Sequence, residues 1–527
     1  MICIRTTTLA VIPLALLCAL VSCKHGGSGK PSSGVAPAGP APPGDQPAFP
    51  FAEHVDQSEI NSGAVAFHEA FALGDALFET QFNTLDGVGA LRLPDGTAFP
   101  ARFSRLPPGG GRATGPNAQA CVSCHNSPFE TSAGEAAANV LQDPSGLGQG
   151  PFNPRNTISL FAAGVPQRLA EEMTEELLAI QTAVDTEALS GGPIVRRALT
   201  AKGVSFGEIA ASRTVAGALL WDLSGIEGVD PDLVVRPYGW KGNHPTLRGF
   251  CRSAGRNELG MEADELVEKE SSVDGDPDGD GVAGELSVGD ITAITIYVAA
   301  QEIPQPLERL VREGLAPPPS VESARLIARG EALFSTAGCA SCHIPELQLL
   351  DPVFEEPTRR GGGNYFDSDV SGSDPDRPLR FHLVREGDQP RLEPHPSGGA
   401  RVRLFGDLKR HNMGAQLTDP QESGVVQADG SPLLQAGLAV TVPRQVFLTP
   451  ELWGVGNSGP WLHDGRAGSL EDAILLHGVD APPPAGNSDR SEAQESRDAF
   501  RALSADDRLA IVEFLRSLVH FQFTGAE

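Results

Sequence analysis

The chain carries Cys339-Ala340-Ser341-Cys342-His343 and an earlier stretch of the same kind, Cys121-Val122-Ser123-Cys124-His125. Both follow the pattern C-x-x-C-H, in which two thiols add to the vinyl groups of a haem and the adjoining histidine becomes the axial ligand beneath the iron. Two copies predict two covalently bound haem c groups. The residues that would bind them are Cys121, Cys124, His125, Cys339, Cys342 and His343.

Two other uses of such cysteine pairs are a zinc site and a dithiol redox pair. Zinc normally takes four ligands from two C-x-x-C pairs that lie close together in sequence, whereas these two pairs are far apart. A thioredoxin-like dithiol does not require the histidine that follows each pair here. The residues favour haem and leave both alternatives open.

The first residues have the features of a secretory signal. Arg5 precedes an apolar run, residues 9–21, that is too short to span a bilayer. It ends in Leu20-Val21-Ser22-Cys23, the pattern of a bacterial lipoprotein signal; an ordinary cleaved signal is the alternative. We therefore predict a signal peptide at residues 1–22, a lipid anchor at Cys23 and a linker rich in Pro, Gly and Ser at residues 23–47. This places the protein on the periplasmic side of a bacterial membrane, as an outer-membrane lipoprotein, or at the cell surface.

The composition constrains partners. The formal net charge is −28, with 68 acidic residues against 40 basic ones. Such acidity argues against nucleic acid and against membrane contact other than through the anchor, and it suits a small basic redox donor. Of the eight cysteines, only Cys251 lies outside the signal segment and the two motifs. No disulfide within the chain is expected, and Cys251 is predicted to be a small buried residue.

The organisation predicted is mainly α: two c-type cytochrome domains packed with their haems across the interface, with loop-rich insertions. The N-terminal haem domain is expected at 48–305 and the C-terminal cytochrome c haem domain at 320–525, separated by proline-rich segments. Helical spacing of apolar residues and capping residues predict helices at 64–82, 166–182, 288–301, 321–334 and 509–520. His68, inside the first of these, is expected to be a packed or surface histidine.

An acidic loop at 274–285 has the spacing of an EF-hand calcium site. Carboxylates alternate, glycine stands sixth and a glutamate stands twelfth, although the usually apolar eighth position is Gly281. The predicted calcium ligands are Asp274, Asp276, Asp278, Asp280 and Glu285. An acidic solvated turn is the alternative.

Near the C-terminus, Ser469 is predicted to cap a helix on which Leu470, Ala473, Ile474 and His477 follow helical spacing. His477 would therefore lie on the buried apolar stripe of that helix.

Together with the two C-x-x-C-H motifs, two further segments carry a resemblance. Trp461-Leu462-His463-Asp464-Gly465-Arg466-Ala467 and Phe514-Leu515-Arg516-Ser517-Leu518 resemble the bacterial di-haem cytochrome c peroxidase superfamily, over about residues 60–525. Within it, the chain is most similar to the di-haem oxidoreductase branch. In the peroxidases a Met fourteen residues after the HDG histidine is the sixth ligand of the C-terminal haem, and here His477 stands at that place. The resemblance thus implies a His343/His477 haem, with Met413 as the rival sixth ligand.

The resemblance implies three more roles. Trp240, in Tyr238-Gly239-Trp240-Lys241-Gly242, would be the electron relay between the haems, although Lys241 replaces the usual acid. Glu258 would be the catalytic general acid, although it is two residues out of register. Asn156, Ser458 and Pro460 would hold an inter-haem calcium.

The chain also departs from the peroxidases. It has no histidine between His125 and His244 that could serve as a distal ligand of the N-terminal haem. An open N-terminal haem is therefore expected.

These expectations describe a di-haem c-type oxidoreductase of peroxidase type. Electrons from a small donor, a cytochrome or a cupredoxin, would enter at the C-terminal haem and reduce hydrogen peroxide at the open N-terminal haem. Two alternatives remain: an oxygenase or oxidase that uses dioxygen on an organic or protein substrate, and a plain electron-transfer protein without a substrate site.

Overall fold

A computed structural model describes residues 50–88, 117–142, 151–191, 193–270, 281–358, 360, 378–384 and 391–522. All of them belong to one unit, Phe49–Glu527. The predicted signal peptide, Cys23, the linker, and the acidic-loop residues Asp274, Asp276, Asp278 and Asp280 lie outside the described residues.

The described part contains eleven α-helices. They are α1 (Gln57–Ser62), α2 (Phe67–Glu79), α3 (Gly164–Leu189), α4 (Leu247–Ala254), α5 (Asp264–Glu270), α6 (Val288–Ala299), α7 (Leu307–Arg312), α8 (Val321–Thr336), α9 (Leu470–Leu475), α10 (Gln494–Ala502) and α11 (Ala505–Arg516).

The strands of the described part are short and pair antiparallel in eight small sheets. They are β1 (Val140–Gln142), β2 (Asn153–Arg155), β3 (Val195–Ala201), β4 (Val204–Arg213), β5 (Leu219–Asp222), β6 (Gln305–Pro306), β7 (Leu347–Leu349), β8 (Val353–Glu356), β9 (Leu379–His382), β10 (Glu393–Pro394), β11 (Ala400–Val402), β12 (Arg410–Asn412), β13 (Ser423–Gly424), β14 (Leu434–Gln435), β15 (Leu438–Ala439), β16 (Thr441–Val442), β17 (Val446–Leu448) and β18 (Leu518–Val519).

Helix α6 lies in the centre of the larger hydrophobic core. Every residue from Gly289 to Ala299 is buried, and Ser287 and Asp290 form a capping box at its start. Helix α2 crosses it closely, because a Cβ at Gly74 would overlap the carbonyl oxygen of Ala293. This core also takes in apolar residues from both sides of the proline-rich segments near 303–319.

Helices α8 and α11 form the smaller core with Phe334, Phe405 and Phe514. They approach so closely that a Cβ at Gly330 would overlap the carbonyl oxygen of Ala510. Helix α8 runs directly into the second C-x-x-C-H motif. The packing of these two helices therefore positions that motif.

The predicted helices occur with small differences in length. Helix α3 is longer at both ends than predicted, and α6 ends two residues earlier. Helix α9 ends at Leu475, so the expectation that His477 lies within it was wrong; His477 follows in a turn. The last helix begins at Ala505, capped by Ser504 as predicted, but it ends at Arg516 rather than at His520.

The sheet β3–β4–β5 was not predicted. It packs on α3, and its first hairpin turns at Lys202 and Gly203, both with positive φ. The predicted loop-rich stretch at 351–447 contains only short strands among its described residues. No helix of the described residues is both long enough and apolar enough to cross a membrane.

Candidate functional site

The two C-x-x-C-H segments adopt the same local structure. Each begins with a 3₁₀ turn, at Cys121–Ser123 and at Cys339–Ser341. The backbone N–H of the histidine then donates to the carbonyl oxygen of the first cysteine, at 3.1 Å for His125 and 3.0 Å for His343. All four cysteines are free thiols. Both segments therefore present a cysteine pair and a histidine from one tight turn, as thioether attachment of haem requires.

The three predicted axial histidines are held in the same way. In each, Nδ1 lies at hydrogen-bond distance from a backbone carbonyl oxygen: Ser132 for His125 (3.3 Å), Phe405 for His343 (3.0 Å) and Ala473 for His477 (2.7 Å). An Nδ1–H donor to a carbonyl leaves the Nε2 lone pair available for a metal. Burial lowers the pKa of all three, to about 4 for His125 and His343. They are neutral at pH 7, as iron ligation requires.

A cavity of about 260 Å³ adjoins the second motif. Cys339, Cys342 and His343 line it, and so do His477 and Met413, the two candidates for the sixth ligand. Its apolar walls include Phe334, Leu417, Leu452, Trp461, Leu470, Ile474, Ile511 and Leu515. Such a cavity fits the apolar macrocycle of a haem, and the structure brings together every residue predicted for this site.

Glu258 lies beside the segment that leads into the first motif. It belongs to a π-helical turn, Gly255–Leu259, that continues α4. Its carboxylate accepts N–H bonds from Asn117 (2.8 Å) and Gln142 (3.1 Å), and its carbonyl oxygen accepts from the backbone of Asn117 and Ala118. Burial raises the pKa of Glu258. Glu258 is half-buried, its carboxyl is fixed by two amides, and it contacts residues 117 and 118 just before Cys121. Such a carboxyl is suited to hold a proton near that site.

Trp240 lines the cavity of the second motif. Its Nε1–H donates to the carbonyl oxygen of Asn156 (2.9 Å), and its ring centroid lies 6.5 Å from that of His463.

The neighbouring Lys241 belongs to a buried ion-pair network. Its ammonium lies 3.2 Å from Asp419, which also accepts two hydrogen bonds from Arg155. Burial lowers the pKa of Lys241 to about 8, although Asp419 opposes the shift. The lysine is thus part of a buried ion-pair network that the sequence did not reveal.

Two of the three predicted inter-haem calcium ligands are in contact. The Asn156 Nδ2 donates to the carbonyl oxygen of Pro460 (2.6 Å), while its Oδ1 is buried without a partner. Ser458 lines the same cavity. An amide rotated by 180° would direct Oδ1 and the Pro460 oxygen to one cation, and such oxygens are the ligands calcium prefers. These residues fit a calcium ion.

Of the acidic loop, only Glu285 among the predicted ligands is described. It is buried, and its carboxylate accepts the backbone N–H of Glu262 at 2.7 Å. The role predicted for it in calcium binding stays a prediction.

His411 lies beside the second motif, with Nε2 at 2.8 Å from Asp407 and Nδ1 at 2.7 Å from Glu492. Cys342, Asp407 and His411 are close enough together to suggest a metal site. Burial would lower the pKa of His411, but its bonds to Asp407, Cys342 and Glu492 outweigh this and raise it to about 11. Both ring nitrogens of His411 face carboxylate oxygens, which only accept hydrogen bonds, so both carry hydrogen and neither offers a lone pair to a metal. This group is an ion pair. Cys251, predicted to be buried, is half-buried, and its burial raises the pKa of the thiol to about 12. His68 is exposed.

No protein-family model matches the chain, and no curated protein matches it in sequence. Several solved structures share a weak structural likeness with the chain, among them the following two. One is hydrazine synthase of Kuenenia stuttgartiensis, with 14% identity and a TM-score of 0.34, covering 93% of this chain and 100% of that one. The other is a MauG-like protein associated with microbial copper homeostasis, with 18% identity and a TM-score of 0.26, covering 58% of this chain and 76% of that one.

Proposed function

We propose that this chain is a di-haem c-type oxidoreductase of peroxidase type. The observation that carries the proposal is the geometry shared by the two C-x-x-C-H turns: a pair of free thiols and a neutral histidine anchored through Nδ1. Bound at each turn, a haem c would supply one-electron chemistry and, where an axial position is open, the reduction of peroxide.

The second site is proposed to receive electrons. His343 and His477 both line its cavity, and each is anchored with Nε2 available. Two such ligands would leave no iron position for a substrate, which suits electron transfer. Trp240, on the same cavity and bonded to Asn156, is the proposed relay toward the first site.

The first site is proposed to be where peroxide reacts. His125 supplies the proximal ligand, and Glu258 lies next to residues 117 and 118 with its carboxyl oriented by Asn117 and Gln142. Burial raises the pKa of Glu258, which makes a proton at one of its Oε atoms easier to hold and to deliver to a departing oxygen. General acids of this kind typically contribute about 10²–10⁴-fold to the rate.

The proposal extends to surroundings and partners. Calcium at Asn156, Ser458 and Pro460 would join the segment before α3 to the segment just before His463. A second calcium would occupy the acidic loop at 274–285. The strongly acidic chain suits a small basic cytochrome or cupredoxin as donor. A lipid anchor at Cys23 would hold it on the periplasmic side of the membrane.

Optical and EPR spectra of the purified, calcium-loaded protein, oxidised and half-reduced, test the proposal. We expect two covalent haems, one high-spin and one low-spin. The low-spin signal should be lost in His477→Ala and retained in Met413→Leu and in the exposed control His68→Ala. Loss in Met413→Leu alone would make Met413 the ligand. Two low-spin haems in every state would instead support a plain electron carrier.

Turnover assays separate the remaining alternatives. Peroxide reduction with a reduced small donor should fall about 10²-fold or more in Glu258→Gln, with both haem spectra unchanged. Uptake of dioxygen with an organic substrate, in the absence of peroxide, would contradict the peroxidase proposal and support the oxygenase alternative.

A further inference from the structure

His520 is a buried histidine near the C-terminal end of the described chain. It follows β18, is only 3% exposed, and lines the cavity of the second motif. The Asn457 side chain holds the backbone of His520 by two hydrogen bonds. The backbone N–H of His520 donates to Asn457 Oδ1 (2.9 Å), and Asn457 Nδ2 donates to the His520 carbonyl oxygen (3.0 Å).

The ring of His520 is fixed as well. Its Nε2 lies 2.8 Å from Ser159 Oγ, and its centroid lies 5.0 Å from that of Phe161. Gly454 leaves room for the ring, because a Cβ there would overlap Cε1 and Nε2. Two distant segments, one with Ser159 and Phe161 and the other with Gly454 and Asn457, thus build one position for this imidazole.

The hydrogen bonds around Ser159 are compatible with a His520 ring that carries its proton on Nδ1. Ser159 Oγ accepts the backbone N–H of Phe161 (3.3 Å), which leaves its hydroxyl hydrogen free to donate to His520 Nε2. Burial lowers the pKa of His520 to about 4, so the ring is neutral. A neutral imidazole that accepts at Nε2 must carry its hydrogen on Nδ1. Nδ1 is buried and has no partner.

In that tautomer, Nδ1–H is a buried donor without an acceptor, which is costly. Because His520 lines a cavity, this arrangement indicates a ligand in the cavity that accepts a hydrogen bond. Cys339, Cys342 and His343 line the same cavity. In a haem c, the two propionates lie at the edge of the macrocycle opposite the two thioethers. A haem attached at these cysteines therefore brings two carboxylates to another part of the cavity wall.

We propose that His520 is a positioning residue whose Nδ1–H donates to a propionate of the haem bound at the second motif, with Ser159 fixing the tautomer. This inference rests on the proposed function. The bond would draw negative charge away from the iron and favour its reduced state. Removing it should shift the ferric-to-ferrous ratio at a fixed potential about three- to tenfold toward ferric, as the loss of one hydrogen bond implies.

The test uses His520→Phe, which keeps a flat ring against Phe161 but has no N–H. Its resonance Raman propionate bending bands and the midpoint potential of the low-spin haem are compared with wild type. The bands should shift and the potential should fall. Ser159→Ala, a smaller change, should produce part of both effects because the tautomer is no longer fixed.

The control is His244→Phe. His244 is also buried with an unpartnered Nδ1, but it is not among the described residues that line this cavity. It should leave the low-spin haem unchanged.

Two outcomes would overturn the inference. The first is a fully haem-loaded His520→Phe protein with wild-type bands and potential. The second is loss of the His520→Phe effect in a Glu451→Gln background. Glu451 is one of two carboxyls that line the cavity, and the other, Glu492, already accepts from His411 and Asn412. Absence of covalent haem would contradict the proposed function itself, a result that haem staining and mass spectrometry identify separately.

Discussion

Asp419 joins distant parts of the chain, and neutralising it should be costly. Its carboxylate is fully buried, accepts two bonds from Arg155 at 2.9 and 2.8 Å, and lies 3.2 Å from the Lys241 ammonium. Asp419→Asn keeps the shape of the side chain but removes the charge. Arg155 and Lys241 would then be buried cations without a counterion.

The size of the effect follows from what each cation can do. Arg155 cannot lose its proton at neutral pH, so its charge stays buried. Lys241 can: burial already lowers its pKa to about 8, and loss of Asp419 would lower it further, so it would become neutral at a modest cost. Removing one partner of a buried ion pair usually lowers the free energy of unfolding by about 3–5 kcal/mol. Because Lys241 can release its proton, we expect a loss at the lower end of this range, about 3 kcal/mol.

The pH dependence gives a second, independent signature. Burial would raise the pKa of Asp419, but Arg155 and Lys241 outweigh it and hold the pKa below its usual value. The carboxylate therefore stabilises the fold at pH values above about 4, the pKa of Asp419 in the unfolded chain. This contribution is lost as the pH falls through the lower pKa of Asp419 in the folded protein. The difference between wild type and Asp419→Asn should accordingly shrink below about pH 4.

The measurement is the free energy of unfolding from urea titrations of the haem-loaded protein, at pH 7 and along the acid limb. Glu313→Gln is the matched control, because it neutralises one acid of a solvent-facing i,i+4 pair with Arg309 and should cost less than about 1 kcal/mol. If Asp419→Asn costs no more than this control, the reasoning about a buried network is refuted.

Two further substitutions test other parts of the structure. Burial raises the pKa of Glu451 to about 7, so wild type should lose stability as pH rises from about 4.5 through 7. At pH 8 the free energy of unfolding of Glu451→Gln should therefore exceed that of wild type by about 2–3 kcal/mol. Equal stability of the two proteins at pH 8 would contradict this. Gly330→Ala should separate α8 from Ala510 on α11 and cost about 2–3 kcal/mol, with earlier loss on heating of the low-spin signal proposed for the second motif. Gly424→Ala, which meets no neighbour, is the control and should be neutral within about 0.5 kcal/mol.

Features that depend on neighbours in sequence were predictable. The C-x-x-C-H motifs fold as tight turns because five consecutive residues determine the turn and the place of the histidine. Ser469 and Ser504 each accept the N–H three residues ahead, as the spacing indicated. For His477, helical spacing was right about the direction of the side chain even though α9 ends at Leu475, because the Nδ1 bond to Ala473 preserves the helical relation of those two residues.

Features that depend on partners far apart in sequence could not be predicted. Lys241 could be read in the sequence only as a departure from the family, since its partner Asp419 is far along the chain. The sheet β3–β5 went unpredicted because charged residues interrupt its apolar alternation. The Lys202–Gly203 turn was the one local signal that could have indicated a hairpin.

Residues 155–159 show why the candidate site could be predicted only in part. Three side chains of this short segment each meet a different distant segment: Arg155 meets Asp419, Asn156 meets Pro460, and Ser159 meets His520. None of these pairs has a spacing that periodicity could detect. Asn156 and Pro460 were identified only through the resemblance. The pairs Arg155–Asp419 and Ser159–His520 were not predicted. Because Asn156 and Ser159 also line the cavity of the second motif, we expect a change at Asp419 to affect that cavity through this segment. A calcium ion on Asn156 would stiffen it, so calcium removal should alter the low-spin haem before it unfolds the protein.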